Sequence, residues 1–271
     1  YKDSDKNKIS SQISSKFIKL KIENELNYIE DLKKGFIKII SNKNNFKANY
    51  KFNKNYFSFK LFDRLNNPNF TYKGKIDFTP FHSNLEGKAY KIDMSNLLEP
   101  DSLFIQLLKT EIFNNKNLNV ESNINIKKNL RYESFNNILL NFKIREGLID
   151  IDNTKFGWND LVDFKILDSL IYLNKNQLIL DGKLVISVKN YDKIYKFLQI
   201  SKKLRPVINN IELNFNYNFD QQIANFNDIK INNQTTENIK VLKNITLKRN
   251  KLQNKIYFKK ILKKAIAAYA G

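Results

Sequence analysis

Along most of this chain apolar and polar residues alternate one by one, the period of a strand with one face against a core and the other in water. From Gly35 the runs Phe36–Ile40, Phe46–Phe52, Tyr56–Phe62, Phe70–Thr79 and Leu85–Ile92 succeed each other at about a dozen residues per repeat. Phe46, Ala48, Tyr50 and Phe52 interleave with Lys47, Asn49 and Lys51, and Phe57, Phe59 and Leu61 with Ser58 and Lys60. Asn53-Lys-Asn55 and Asn66-Asn-Pro68 supply turn residues between them. The pattern predicts a β-meander.

Residues 117–190 hold the densest series, with strands expected over 117–126, 134–151, 162–166 and 177–188. In the last, Leu178, Leu180, Leu184, Ile186 and Val188 share one parity, while Gln177, Asp181, Lys183 and Ser187 hold the other. Ile211, Leu213, Phe215, Tyr217 and Phe219 alternate with Glu212, Asn214, Asn216 and Asn218. Residues 222–231 then read as a hairpin partner and 238–247 as a last strand.

The period changes to that of a helix in three places. Near 100–113 Pro100 stands in a first turn ahead of Leu103, Phe104, Leu107 and Leu108. Near 190–204 Asn190 is the expected N-cap, Tyr191, Ile194, Tyr195 and Leu198 share a face, and Pro206 lies beyond the stop. Residues 254–271 form a basic amphipathic helix with Lys259, Lys260, Lys263 and Lys264 opposite Phe258, Ile261, Leu262 and Ile266. That helix suits either a cap on an open sheet end or a membrane- or partner-facing surface. Residues 1–34 read as a polar lead-in with a short strand over 17–22 and a polar connection or weak helix over 24–34, the end of an upstream region. The main β domain is 35–253.

Composition sharpens this reading without supplying a reaction. With 42% hydrophobic residues the chain can build a core. A net charge of +20 raises anionic partners, yet the charge is spread as lysine along the whole chain rather than gathered as arginine. A nucleic-acid platform needs aromatic and basic side chains on one face. Here the aromatics share parity with Ile and Leu and the lysines with Asn, so no nucleic-acid partner is expected.

With no cysteine, a thiolate metal site and a disulfide framework are excluded. The single histidine, His82, is expected in a solvated turn over 80–84. Asp150 and Asp152 sit opposite Ile149 and Ile151 and read as wet-face residues; Asp160, Asp163 and Asp168 follow without metal-ligand spacing. No P-loop, G-x-S-x-G or dinucleotide fingerprint occurs. The expectation is no enzyme, no cofactor and no metal. Helices between the strands count against an outer-membrane barrel. No apolar run approaches the roughly 20 residues of a membrane helix. The chain opens on Tyr1, and any signal or anchor is expected upstream.

Asn117 to Ile151 runs as an alternating strand, a polar turn, a strand beginning Phe135-x-Asn-Ile138, then Ile144-Arg-Glu-Gly147 and Leu148-Ile-Asp-Ile151; Leu180-Asp-Gly-Lys-Leu184 and Asn227-Asp-Ile-Lys-Ile231 look like later turns of the same pattern. This order resembles the C-terminal region of AsmA-family envelope proteins, over about Phe70 to the C-terminus. The resemblance implies a long, twisted, repetitive, mainly antiparallel β-sheet curled into an open groove, interrupted or capped by a few helices. It implies a periplasmic location, an upstream inner-membrane anchor in a Gram-negative bacterium, phospholipid as ligand, and a role in lipid transport and outer-membrane assembly. The candidate groove residues are those of apolar parity: Ile138, Leu140, Phe142, Ile144, Leu178, Leu180, Leu184, Ile186, Ile211, Leu213, Phe215 and Tyr217. The other reading of the same residues is a closed core in a scaffolding envelope domain that binds protein partners.

Overall fold

The computed structural model of the chain describes residues 2–3, 8–15, 20–29, 31–41, 44–63, 69–92, 99–129, 134–234, 245–248, 260 and 263. They form one sheet of 17 strands. Its first part comprises β1 (Lys2–Asp3), β2 (Lys8–Ser15), β3 (Leu20–Ile29), β4 (Leu32–Ser41), β5 (Asn44–Phe52), β6 (Tyr56–Phe62), β7 (Phe70–Phe78) and β8 (Phe81–Ile92). After helix α1 (Leu103–Lys109) come β9 (Asn119–Asn129), β10 (Phe135–Arg145), β11 (Leu148–Asp150), β12 (Lys155–Trp158), β13 (Val162–Asn174) and β14 (Gln177–Val188). Helix α2 (Tyr191–Leu198), β15 (Asn210–Asn218), β16 (Ile223–Ile231) and β17 (Ile245–Lys248) complete it.

Apart from β11 and β12, each strand lies beside its neighbour in sequence, so the strand order follows the chain from end to end. Its pairs are antiparallel except β8 with β9. A parallel pair needs a crossover, and the segment carrying α1 supplies it. β11 and β12 lie end to end between β10 and β13 as one interrupted strand, which makes the ladder sixteen positions wide.

The interruption is held by a polar knot. Asp152 Oδ1 accepts from the Ser169 amide at 2.7 Å and from Ser169 Oγ at 2.6 Å, and Ser169 Oγ accepts from the Ile151 amide. Thr154 Oγ1 donates to the Asn141 carbonyl and accepts from its amide. The buried Ser169 and Thr154 are thereby satisfied where the ladder is broken. Asp152 thus serves this break, while the expected wet face falls to Asp150.

The polar lead-in is sheet as well. Of the stretch 24–34, expected as a connection or weak helix, residues 24–29 and 32–34 belong to β3 and β4, whose pairing runs from Leu20↔Ser41 to Ile29↔Leu32. A full ladder of backbone bonds overrides the weak local preference of an Asn- and Glu-rich stretch. His82 stands in β8 rather than in a turn, paired with Asp77. α1 and α2 fall where the 3.6-residue pattern predicted helices, in shorter form, and Asn190 caps α2 by accepting from the Lys193 amide at 3.0 Å. The C-terminal helix lies outside the described residues apart from Lys260 and Lys263, which are helical; Lys259 and Lys264 lie outside them.

α1 reaches both Phe142 of β10, rings 5.7 Å apart, and Asp220 just after β15. In a flat sheet those strands stand about 19 Å apart, whereas α1 is about 10 Å long. The sheet curls toward the helix. At β8, Ser83, Gly87 and Ala89 offer little side-chain bulk on the curled face, so larger neighbours from β7 and β9 close over them.

Candidate functional site

Directly paired residues share a face of the sheet, so the register can be followed across it. One row runs Tyr28, Lys33, Phe52, Phe57, Ile76, Ser83, Val120, Ile144, Ile149, Ile171, Leu180, Tyr217, Ala224, Leu247. It is almost wholly apolar from β3 to β17. A parallel row runs Asn24, Ile37, Ala48, Leu61, Tyr72, Gly87, Ile124, Leu140. One face of the sheet is therefore a continuous apolar surface. All twelve candidate residues lie on it.

What covers that face differs along its length. α1 seals one margin with Ile105 and Leu108, which pack with Ile144, Ile149, Ile171, Leu178, Leu180 and Phe219. α2 seals the opposite margin with Tyr195 and Leu198 against Ile208 and Ile231. A third cluster gathers Ala89, Ile126 and Ile138 with Phe135 and Phe156. Among the candidates Ile138, Ile144, Leu178 and Leu180 are buried in these clusters. Leu140, Phe142, Ile211, Phe215 and Tyr217 are half-buried against them, while Leu184, Ile186 and Leu213 are half-buried outside them.

The α1 margin depends on charge. Lys109 pairs with Asp220, which also accepts from the Leu178 amide at 2.8 Å. Burial alone would raise the Asp220 carboxyl, but Lys109 and the Leu178 amide outweigh it and hold the carboxyl below its ordinary value. A carboxyl depressed in the folded state contributes stability above its unfolded pKa and loses it as pH falls through the folded one. Asp220→Asn is therefore expected to cost about 1–2 kcal/mol at neutral pH. The gap to wild type should close in acid below the carboxylate range, as urea unfolding at the two pH values would measure.

The first half of the sheet carries a site that sequence reasoning did not single out. No residue of β3–β6 joins any of the three clusters among the described residues. Instead Tyr50 stacks on Phe52 at 6.1 Å, Phe57 on Phe59 at 5.8 Å and Phe70 on Tyr72 at 6.4 Å, with Phe59 tilted against Tyr72 at 5.8 Å. These rings lie down on the strands. A Cβ on Gly35 would stand 2.1 Å from Tyr50 Cζ, and one on Gly74 2.4 Å from Leu85 Cδ2. Glycine admits each side chain onto bare backbone.

The ring hydroxyls end on polar residues of the same face. Tyr50 donates to Asn24 Oδ1 at 2.7 Å, and the Tyr72 and Ser122 hydroxyls meet at 3.2 Å. Burial pushes both phenols up in pKa, with those hydrogen bonds offsetting part of the rise. Lys33 places its ammonium 5.5 Å from the Tyr28 ring centre and 5.3 Å from that of Phe52, a cation at the margin of the aromatic floor. The signal available in sequence was the alternation of 46–52 and 56–62, which marks a face without saying whether anything packs on it.

The opposite face is wet and charged, and it holds concavities of 750 and 660 Å³. Among the described residues no group of His, Cys, Asp and Glu is placed to hold a metal ion, and no helix is long and apolar enough to cross a membrane. No family model, curated protein or solved structure matches the chain.

Proposed function

We propose that the protein holds or conducts lipid acyl chains on the apolar face of its sheet, without covalent chemistry, as a module of the cell envelope. The observation that carries this is the aromatic floor of β5–β7. Apart from Phe70, its rings lie outside the core clusters, half-buried against the sheet itself, and they share the apolar face with the strip of Leu184, Ile186 and Leu213 between the two helical margins. An acyl chain laid there gains about 0.8 kcal/mol per buried CH2. Flat rings give it no pocket to lock into, so sliding along the rows is cheap. The resemblance to the AsmA family supports phospholipid as the ligand and the space between inner and outer membrane as the setting.

The second reading, a scaffold with a closed core, draws on the burial of Ile138, Ile144, Leu178 and Leu180. The two divide the sheet: those residues build the frame, and the ligand belongs on the floor and strip. Purified protein should carry lipid in native mass spectrometry. Phe59→Asp should abolish that mass increment while Lys47→Asp, on the adjacent strand and facing the other side, should keep it. Lipid-free wild-type protein, or equal loss in both variants, favours the scaffold.

A further inference from the structure

The wet face of β4–β8 differs from the rest of the wet face in how its charges are arranged. In the second half of the sheet most wet-face charges are matched across strands, with Lys155 opposite Lys165 the exception: Arg145 pairs with Glu121, Lys183 with Glu212 at 2.8 Å, and Asn214 and Asn216 donate to Asp228 and Asp181. Across β4–β7 lysine stands directly opposite lysine, Lys34↔Lys51 and Lys60↔Lys73. Like charges directly opposite destabilise a sheet. Lys34, Lys51, Lys60, Lys73 and Lys75 all line the 750 Å³ concavity, with Glu86 the one carboxylate among its lining residues. Glu86 is engaged by Lys73 at 2.8 Å, and Lys75 meets Asp77 at 2.7 Å, whereas Lys34, Lys51 and Lys60 have no ion-pair partner among the described residues.

We infer that this concavity binds a ligand with clustered phosphate groups. The charge is concentrated where the backbone gains nothing from it, and its form suits phosphate: an ammonium acts as a point charge on phosphate oxygens, whereas planar bidentate recognition would call for arginine. Several ammoniums within two cross-strand spacings match an anion carrying more than one phosphate. A single carboxylate ligand would leave the repulsion largely in place. The lysines lie by register on the face opposite the aromatic floor, so the charge argument does not use the lipid reading there, although Tyr50 and Phe59 also line the concavity. Clustered phosphate reaches a protein either as a soluble oligophosphate or as the headgroups of an anionic bilayer.

The full chain would be titrated with sodium tripolyphosphate by calorimetry at low salt, and in parallel sedimented with phosphatidylcholine vesicles with and without phosphatidylglycerol. Binding in the first arm assigns a soluble ligand; binding only to the doped vesicles assigns headgroups. In either case Lys34→Gln/Lys51→Gln/Lys60→Gln should weaken binding by about tenfold or more. The same variant should melt no lower than wild type, because the repulsion is relieved. Lys165→Gln/Lys183→Gln/Lys230→Gln, which removes as many charges elsewhere on the wet face, should leave binding near wild type. The proposal fails if wild type binds neither probe, or if both triple variants lose binding equally, the mark of net charge alone.

Discussion

Replacing Ile105 by alanine is expected to lower the unfolding free energy by about 2–5 kcal/mol, seen as a fall in the urea midpoint without a change in slope. Ile105 is 0% exposed and packs with residues of β10, β11, β13 and β14. A short helix of seven residues has little stability of its own. Its Ser102 cap, accepting from the Ile105 amide at 3.2 Å, fixes one end, and Lys109 ties the other to Asp220. Truncating Ile105 removes the side chain around which four strands close, and a cavity remains because the paired strands beneath cannot collapse into it. Leu107, on the same helix and 38% exposed, provides the contrast: Leu107→Ala should change stability by less than about 0.5 kcal/mol.

The second large effect is expected from a change of opposite sense, the addition of one methyl group. Gly35→Ala places a Cβ where the Tyr50 ring lies, 2.1 Å from Cζ. In a strand free of such a neighbour, alanine for glycine is favourable by about 0.4–1 kcal/mol through the unfolded chain. Here the ring must lift off the sheet. It gives up its hydrogen bond to Asn24 and its stacking on Phe52, for a net loss of about 1–3 kcal/mol. The sign alone is diagnostic. In a Tyr50→Ala background the same glycine substitution should become neutral or stabilising, and this double-mutant cycle separates the ring clash from any general intolerance at position 35.

Much of this molecule can be read from parity. The runs at 46–52, 56–62 and 177–188 correspond within a residue or two to β5, β6 and β14, because each keeps one apolar parity along its length and is bounded by Asn-containing turns; 222–231 corresponds to β16 even though its apolar parity shifts at a bulge beside Asp228. β3 was harder for a physical reason. Its inward residues Ile22, Leu26 and Tyr28 are broken by Asn24, which looks like a turn residue until the register places it under the Tyr50 hydroxyl. β12 is only four residues long, with Gly157 at its centre, and exists because the polar knot around Asp152 and Ser169 carries the chain across a gap. β2, Lys-Ile-Ser-Ser-Gln-Ile-Ser-Ser, has little apolar signal and is strand by virtue of pairing along its length with β3.

The candidate site was legible as a face and not as a location. Alternation places Leu180 and Phe59 on the same side, but whether a helix lies over either depends on contacts between residues far apart in sequence. Leu180 is buried beneath α1, and its cluster includes Ile144 from four strands' worth of chain earlier. Among the described residues, the rings that Phe59 meets come from its own and adjacent strands. Nothing local to either residue distinguishes them. The unmatched lysines of the wet face were equally hidden, since Lys34 and Lys51 become neighbours only through the β4–β5 register.

Photo-crosslinking with a phospholipid carrying its reactive group in the acyl chain, followed by mapping of the adducts, tests the lipid-holding face most directly. Adducts should fall on Tyr50, Phe57, Phe59 and Tyr72 and on the strip at Leu184 and Leu213, and should skip the intervening Ser58, Lys60 and Lys183. That two-residue period across several strands would place the chain on one face of the sheet. Adducts spread over both parities, or none on the floor while lipid binds elsewhere, would contradict it.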